Sequence, residues 1–471
     1  MRMFYQGRWR DGGDHFEVRN PFDATVIDTV PSASADDVDA AISGLVEGAA
    51  VMRKLSGYER YTILSRAAKA LGDRLEELAR LISVEEGKVL AESRIEVQRA
   101  KETLELSAEE AKRIGGEVLP LDGASTGKGK FGFTLRVPCG IVAAITPFNF
   151  PLNLVVHKVG PALAAGNAVI LKPASDTPLS AVKLVEVLLE AGLPPQGIAI
   201  ITGSGSVVGN AIVCDPRVRK ISFTGSRDVG EMLCKAAGLK RVTMELGSNS
   251  PLIVMPDADL EQVAEATAIA GFANAGQVCI STQRVIGVGG VYADLLEAVT
   301  ARVGKIRAGN QLEAGMTMGP MVREADAVRV GEWIDEAVKS GARVTTGGRR
   351  QGALFEPTVL ADVDPQMKIS CDELFGPAVA VTRASSADEA IAMANDTRYG
   401  LSAAIFTKSL DTALRYAREV ESGNIHINWG TMWRADLMPY GGLKDSGFGK
   451  EGPKYAIQEM TDSKTVVIHG V

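Results

Sequence analysis

The chain reads as an α/β protein built on parallel sheets, and three observations carry that reading. From residue 140 onward, short apolar strands alternate with amphipathic helices, the pattern of a parallel sheet covered on both faces. Fifty glycines supply the tight turns that such strand-to-helix units need. At 471 residues the chain exceeds one compact core, so two or three domains are expected.

The elements follow in order. Residues 1–31 read as short strands and turns, with Asn20-Pro21-Phe22-Asp23 as a turn signal. Ser34 and Asp37 form a capping box ahead of Val38, Ala41, Ile42 and Leu45, which keep helical spacing. Two more helical segments, about 58–84 and 86–114, complete an amphipathic layer in which no chemistry is expected. Gly115 ends it. Residues 130–137 then alternate like a strand, and Lys464 to Ile468 near the C-terminus read as another. A hairpin at 116–137 has little core of its own, so it is expected to pair with that C-terminal strand or with another subunit.

Strands at 141–145, 168–171, 198–201 and 220–223 alternate with helices over 152–165 and 178–192, and with helices starting near 204 and 226. This is a Rossmann-like pattern, and ligands in such sheets bind beyond the carboxyl ends of the strands. The distinctive polar residues sit at those ends. A second β/α run covers 246–440, interrupted by turns near 309–320 and 346–357. No internal repeat or low-complexity linker is visible.

A net charge of −7 argues against a general nucleic-acid or anionic-membrane surface. The five cysteines (139, 214, 234, 279 and 371) form no CxxC pair, which points to a reducing compartment. The first residues carry no apolar signal core, and no run approaches the ~18 apolar residues of a membrane helix. A cytoplasmic location is expected, and no metal site.

Three stretches carry the chemistry. Met244-Glu245-Leu246-Gly247-Ser248 offers a carboxylate at a strand end, and Gly276-Gln277-Val278-Cys279 offers a thiol in a small-residue turn. Thr146-Pro147-Phe148-Asn149-Phe150-Pro151 places an amide at the end of the 141–145 strand. Taken singly, each is ordinary: a surface carboxylate, a small apolar cysteine, a turn asparagine. Together a nucleophile, a base and an oxyanion donor suffice for acyl-enzyme chemistry.

In this combination and spacing the chain resembles the aldehyde dehydrogenase superfamily over essentially its whole length. The resemblance implies Cys279 as nucleophile, Asn149 as oxyanion donor and Glu245 as the base that activates water on the thioester. It also implies a cofactor site made by Thr146, Phe148, Lys172, Ser175, Gly205, Gly209, Gly225, Ser226, Leu246, Glu373 and Phe375. Glu373 lies in Glu373-Leu374-Phe375-Gly376-Pro377, the motif that holds the nicotinamide ribose in the family. Neither glycine turn, Gly203-Ser204-Gly205 with Gly209 or Thr224-Gly225-Ser226, is a G-x-G-x-x-G fingerprint. Where a Glu would repel a 2′-phosphate, this chain has Ser175 beside Lys172, as in NADP-using succinate-semialdehyde dehydrogenases. NADP is therefore expected, with NAD also accepted. Ser248 stands where a second glycine is usual, and its side chain is expected close to the nicotinamide.

His157 and Arg434 are the candidate substrate contacts, because a guanidinium fork suits carboxylate, phosphonate or sulfonate. The ordinary alternatives are a structural histidine and an Arg434–Asp436 pair. The run from Met438 to Ala456 is most similar to the lactaldehyde, glyceraldehyde and phosphonoacetaldehyde branch. It implies non-acylating oxidation of a small, anionic or hydroxylated aldehyde to its acid. Alternatives are a succinate-semialdehyde-type enzyme, a coenzyme A-acylating member, which the presence of Glu245 disfavours, or a non-catalytic protein on the same scaffold. The expected organisation is a cofactor domain (1–114 and 138–245), a catalytic domain (246–454) and a small β oligomerisation element (115–137 and 455–471), assembled as a homodimer or homotetramer.

Overall fold

The computed structural model describes residues 1–470; Val471, the last residue of the expected 455–471 segment, lies outside them. Its largest sheet has eight strands, in the spatial order Arg8–Arg10, Met3–Tyr5, Ile198–Ile200, Ala168–Lys172, Ile141–Ile145, Val218–Thr224, Arg241–Glu245 and Gly447–Phe448. The five strands from Ile198–Ile200 to Arg241–Glu245 are parallel. Successive strands run outward in one direction from Ile141–Ile145 and then in the other from Val218–Thr224. The strand order therefore reverses between these two, and a crevice opens at their carboxyl ends.

Alternating residues of the central strands feed two cores. Val142 and Ala144 pack with Leu64, Leu78, Val97 and Leu104 of the helical layer. Ile141, Ala143 and Ile145 pack with Val38, Ile42 and Leu45 on the opposite face. This is the period-two division expected of a strand buried on both sides. The Ser34–Asp37 capping box is present at the first helix.

The helical layer differs from expectation in its breaks. The 58–84 segment is two helices, Gly57–Asp73 and Leu75–Glu86, parted at Arg74, whose backbone (φ −107°, ψ 20°) leaves the helical region. The second ends because Gly87 adopts a left-handed conformation (φ 100°), and the next helix runs Leu90–Ala111. Apolar spacing continues across Arg74, so the periodicity alone showed one helix.

A second sheet has seven strands, ordered Arg343–Thr346, Thr358–Ala361, Ala378–Ala384, Arg284–Val288, Pro251–Val254, Ser402–Phe406 and Asn424–Ile427. A third joins Thr461–His469, Lys130–Pro138 and Val118–Leu119. Its long pair is antiparallel, from Thr461 opposite Pro138 to His469 opposite Lys130. Between the last two sheets the chain touches the first one again. Gly447–Phe448 pairs with Met244 and Glu245, and the helix Pro453–Glu459 buries Ile457 in the helical-layer core. Among the described residues no helix is long and apolar enough to cross a membrane.

Candidate active site

The crevice at the strand ends is a cleft of about 1060 Å³ between the two large sheets. Thr146, Phe148 and Asn149 reach it from the end of Ile141–Ile145, Lys172 and Ser175 from the end of Ala168–Lys172, and Gly225 and Ser226 from the end of Val218–Thr224. Gly205, Gly209, Leu246, Glu373, Phe375 and Cys279 complete the lining predicted from sequence.

Cys279 is carried by a turn of unusual backbone. The helix Leu260–Phe272 precedes it, and Asn274 and Ala275 are left-handed (φ 50° and 52°). Gly276 follows at φ 70°, where a Cβ would stand 2.1 Å from the carbonyl oxygen of Gly376. Only glycine fits there. Sγ of Cys279 lies 3.4 Å from Oη of Tyr440. Burial pushes the thiol up to about 12; Glu373 and Glu245 add to that, while Tyr440 and Arg434 oppose it.

Asn149 faces the same turn. One amide N–H donates to the carbonyl of Gln277 at 2.8 Å, which leaves the other available. Its main-chain carbonyl accepts from Lys88 Nζ at 2.6 Å and from Asn274 Nδ2 at 3.2 Å. Lys88 also pairs with Glu96 at 2.7 Å, and Asn149, Asn274, Lys88 and Glu96 are all buried. The helical layer, read from sequence as free of chemistry, thus props the candidate oxyanion donor.

Glu245 is buried, and among the described residues neither carboxylate oxygen has a hydrogen-bond partner. Burial, and then the negative charge of Glu451, raise its pKa well above the usual carboxylate range. Gly441 leaves room for it, since a Cβ there would come within 3.0 Å of Oε1.

The remaining lining suits a dinucleotide. Lys172 is almost wholly buried, its pKa pushed down to about 8 by that burial, and among the described residues its Nζ donates only to the carbonyl of Pro173 at 3.0 Å. Ser175 Oγ donates to the carbonyl of Gly203 at 3.0 Å. Asp176, whose charge would oppose a phosphate, is taken by Arg323, with Nε at 3.0 Å. A Cβ on Gly205 would meet nothing within 4 Å, so this backbone faces open space. Thr146 Oγ1 is a buried hydroxyl without a partner among the described residues. Phe148 and Phe375 meet edge to face, with ring centroids 5.9 Å apart. Glu373, pushed up to about 7 by burial, accepts from the backbone N–H of Ser248 at 2.9 Å.

The Aldehyde dehydrogenase family model matches residues 9–466. The chain belongs to this family. It is 45% identical to the 3-sulfolactaldehyde dehydrogenase of Priestia megaterium over 467 residues, covering 99% of this chain and 98% of the relative. It is 39% identical to the succinate-semialdehyde dehydrogenase [NADP(+)] of Escherichia coli, with 99% and 98% covered. Among solved structures, glyceraldehyde-3-phosphate dehydrogenase of Methanocaldococcus jannaschii complexed with NADP superposes with a TM-score of 0.93. That match is at 37% identity, covering 96% of this chain and 99% of the other. As an aldehyde dehydrogenase, the chain is an NAD(P)-dependent enzyme that oxidises an aldehyde to the acid.

One sequence expectation changes in this aldehyde dehydrogenase. Ser248 does not place its side chain in the cofactor cleft: Oγ turns to Ser250 Oγ at 3.1 Å, because its backbone N–H is held by Glu373. The Arg434–Asp436 pair is present but long, with Nε 4.0 Å from Oδ1. Arg434 Nη2 makes shorter contacts, to Glu451 at 3.1 Å and to the His157 ring at 3.2 Å, with the guanidinium 3.8 Å from the Tyr440 ring centroid. Nε of Arg434 is buried without a hydrogen-bond partner among the described residues.

His157 is fully buried, with Nε2 at 2.8 Å from Asp436. Neither His157 nor Arg434 lines the large cleft. Asp436 is clamped by Arg99 at 2.7 and 3.0 Å. Burial alone would raise Glu451, but Lys158, 2.8 Å away, and Arg434 hold it below the usual carboxylate range. Lys88, Arg99, Lys158, Arg323, Tyr440 and Glu451 were not predicted. Each reads as an ordinary charge or aromatic until distant elements meet.

Proposed function

We propose that the enzyme oxidises a small anionic aldehyde, of the sulfolactaldehyde type, to its carboxylate without coenzyme A, and prefers NADP. The observation that carries this reading is Arg434, buried beside the Tyr440–Cys279 corner with an unused Nε–H. A desolvated guanidinium with a free donor suits a sulfonate or carboxylate. The similarity to the Priestia megaterium enzyme supports it. His157, held by Asp436, fixes Arg434 from behind.

Lys172, Ser175, Gly225, Ser226 and Glu373 would hold the dinucleotide. Bound there, NAD(P)+ supplies the hydride acceptor and a positive charge within the cleft that Cys279 lines. Cys279 as thiolate adds to the aldehyde carbon. The free amide N–H of Asn149 and the backbone N–H of Cys279 stabilise the oxyanion, each such donor contributing roughly 10²–10³ in rate. After oxidation, Glu245 takes a proton from water as that water attacks the thioester. The free acid leaves and Cys279 is restored. Ser175, with Asp176 neutralised by Arg323, supports the choice of NADP.

We further propose a homodimer or homotetramer in the cytoplasm, assembled through the three-stranded sheet. Its outer strand Thr461–His469 leaves a ladder edge open and exposes Val467 and Ile468. Sedimentation of wild type and of Val467→Asp/Ile468→Asp tests it, with dissociation expected.

The deciding experiment is NADPH and NADH formation from sulfolactaldehyde, succinate semialdehyde, lactaldehyde, glyceraldehyde, phosphonoacetaldehyde and propanal, with and without coenzyme A. Strong turnover of one anionic aldehyde, and a raised KM for it alone in Arg434→Ala, is expected. Equal effects of Arg434→Ala on propanal would sink the reading.

A further inference from the structure

We propose that Tyr440 is a catalytic residue: its hydroxyl donates a hydrogen bond to the sulfur of Cys279 whenever that sulfur carries negative charge. The proposal rests on the reading of Cys279 as nucleophile. Oη of Tyr440 stands 3.4 Å from Sγ, and among the described residues Cys279 is its only hydrogen-bond partner. A buried phenol with a single partner has one direction in which to aim its proton.

Tyr440 is held in place from three sides. Its backbone carbonyl accepts from Glu451 N at 2.7 Å, and its N–H donates to the carbonyl of Met438 at 2.8 Å. The ring lies under the Arg434 guanidinium at 3.8 Å. Glu451 is fixed in turn by Lys158 and Arg434. The hydroxyl is therefore presented to sulfur by a rigid frame, which lowers the reorganisation needed when charge develops there.

Sulfur carries charge twice in the cycle, once as attacking thiolate and once as the leaving group of thioester hydrolysis. The same O–H serves both moments, and Tyr440 keeps its proton throughout. The other charged groups facing the sulfur are Glu245 and Glu373, which disfavour the thiolate, and Arg434, which favours it. Against two carboxylates, one donor in direct contact is significant.

The test compares wild type with Tyr440→Phe, which removes one oxygen and keeps the ring under Arg434. The readout is the pH dependence of Cys279 alkylation by iodoacetamide, alongside kcat, KM and the melting temperature. Glu245, Glu373 and Arg434 are common to both proteins, so their effects cancel. The alkylation midpoint is expected to rise by about one pH unit, with ~10-fold slower alkylation below it and a lower kcat at similar KM. Superimposable alkylation profiles would overturn the role of Tyr440 while leaving Cys279 as nucleophile. Retention of dehydrogenase activity after stoichiometric alkylation of Cys279 would overturn both.

Discussion

Lys88 donates from Nζ to the main-chain carbonyl of Asn149 at 2.6 Å while pairing with Glu96 at 2.7 Å. Glu96 in turn accepts from the backbone N–H groups of Leu152 and Asn153, at the start of the helix that follows Asn149. One buried ion pair thus positions both ends of this loop. Lys88→Met is expected to lower stability by about 3–5 kcal/mol, because Glu96 is left as an uncompensated buried charge. It should also lower kcat, through displacement of the Asn149 amide. Lys88→Met/Glu96→Gln should recover the denaturation midpoint and not the rate; recovery of both would make Lys88 purely structural.

Glu245 takes a proton only when ionised, and its burial beside Glu451 raises the pH at which it ionises. Thioester hydrolysis should therefore speed up as pH rises through a value well above the ordinary carboxylate range, and fade on the acid side. Glu245→Gln should remove this dependence and slow steady-state turnover by roughly 10²–10⁴-fold. Because Cys279 is untouched, the initial burst of reduced cofactor should persist. Rapid-quench or stopped-flow measurement separates the two phases, and loss of the burst would place Glu245 in the first step.

At Gly247, a Cβ would fall 2.2 Å from Oε2 and 2.7 Å from Cδ of Glu373. Gly247→Ala must push the carboxylate aside. Loss of one hydrogen bond to a charged group costs about 1.5–3 kcal/mol, so cofactor affinity should drop roughly 10- to 100-fold. Fluorescence titration with reduced cofactor checks this. An unchanged Kd would mean that Glu373 does not hold the ribose.

Ser175→Glu would set a second carboxylate next to Asp176, which Arg323 already occupies. Repulsion of a 2′-phosphate should lower kcat/KM with NADP by at least ~10-fold, the equivalent of 1.4 kcal/mol, and leave NAD nearly unaffected. The ratio of the two specificity constants is the measurement. An unchanged ratio would remove Ser175 from cofactor choice.

Much of this site was readable from contiguous residues. The strands Ile141–Ile145 and Ala168–Lys172 announce themselves as apolar runs, and the motifs around Asn149, Glu245, Cys279 and Glu373 stand immediately at element ends. Local pattern decides these features, because a buried strand or a left-handed turn is specified by the residues that form it. The break at Arg74 escaped because apolar spacing runs through it.

Side-chain partnerships were of another kind. That Arg434 lies closer to Glu451 than to its near neighbour Asp436, that Ser248 turns to Ser250, and that Lys88 reaches Asn149 were decided only by packing. By itself the sequence determined the α/β class and the family. The tertiary structure decided which buried charges compensate one another. Desolvation makes each such charge costly unless a partner lies within about 3–4 Å, and those partners come from elements far apart in the chain.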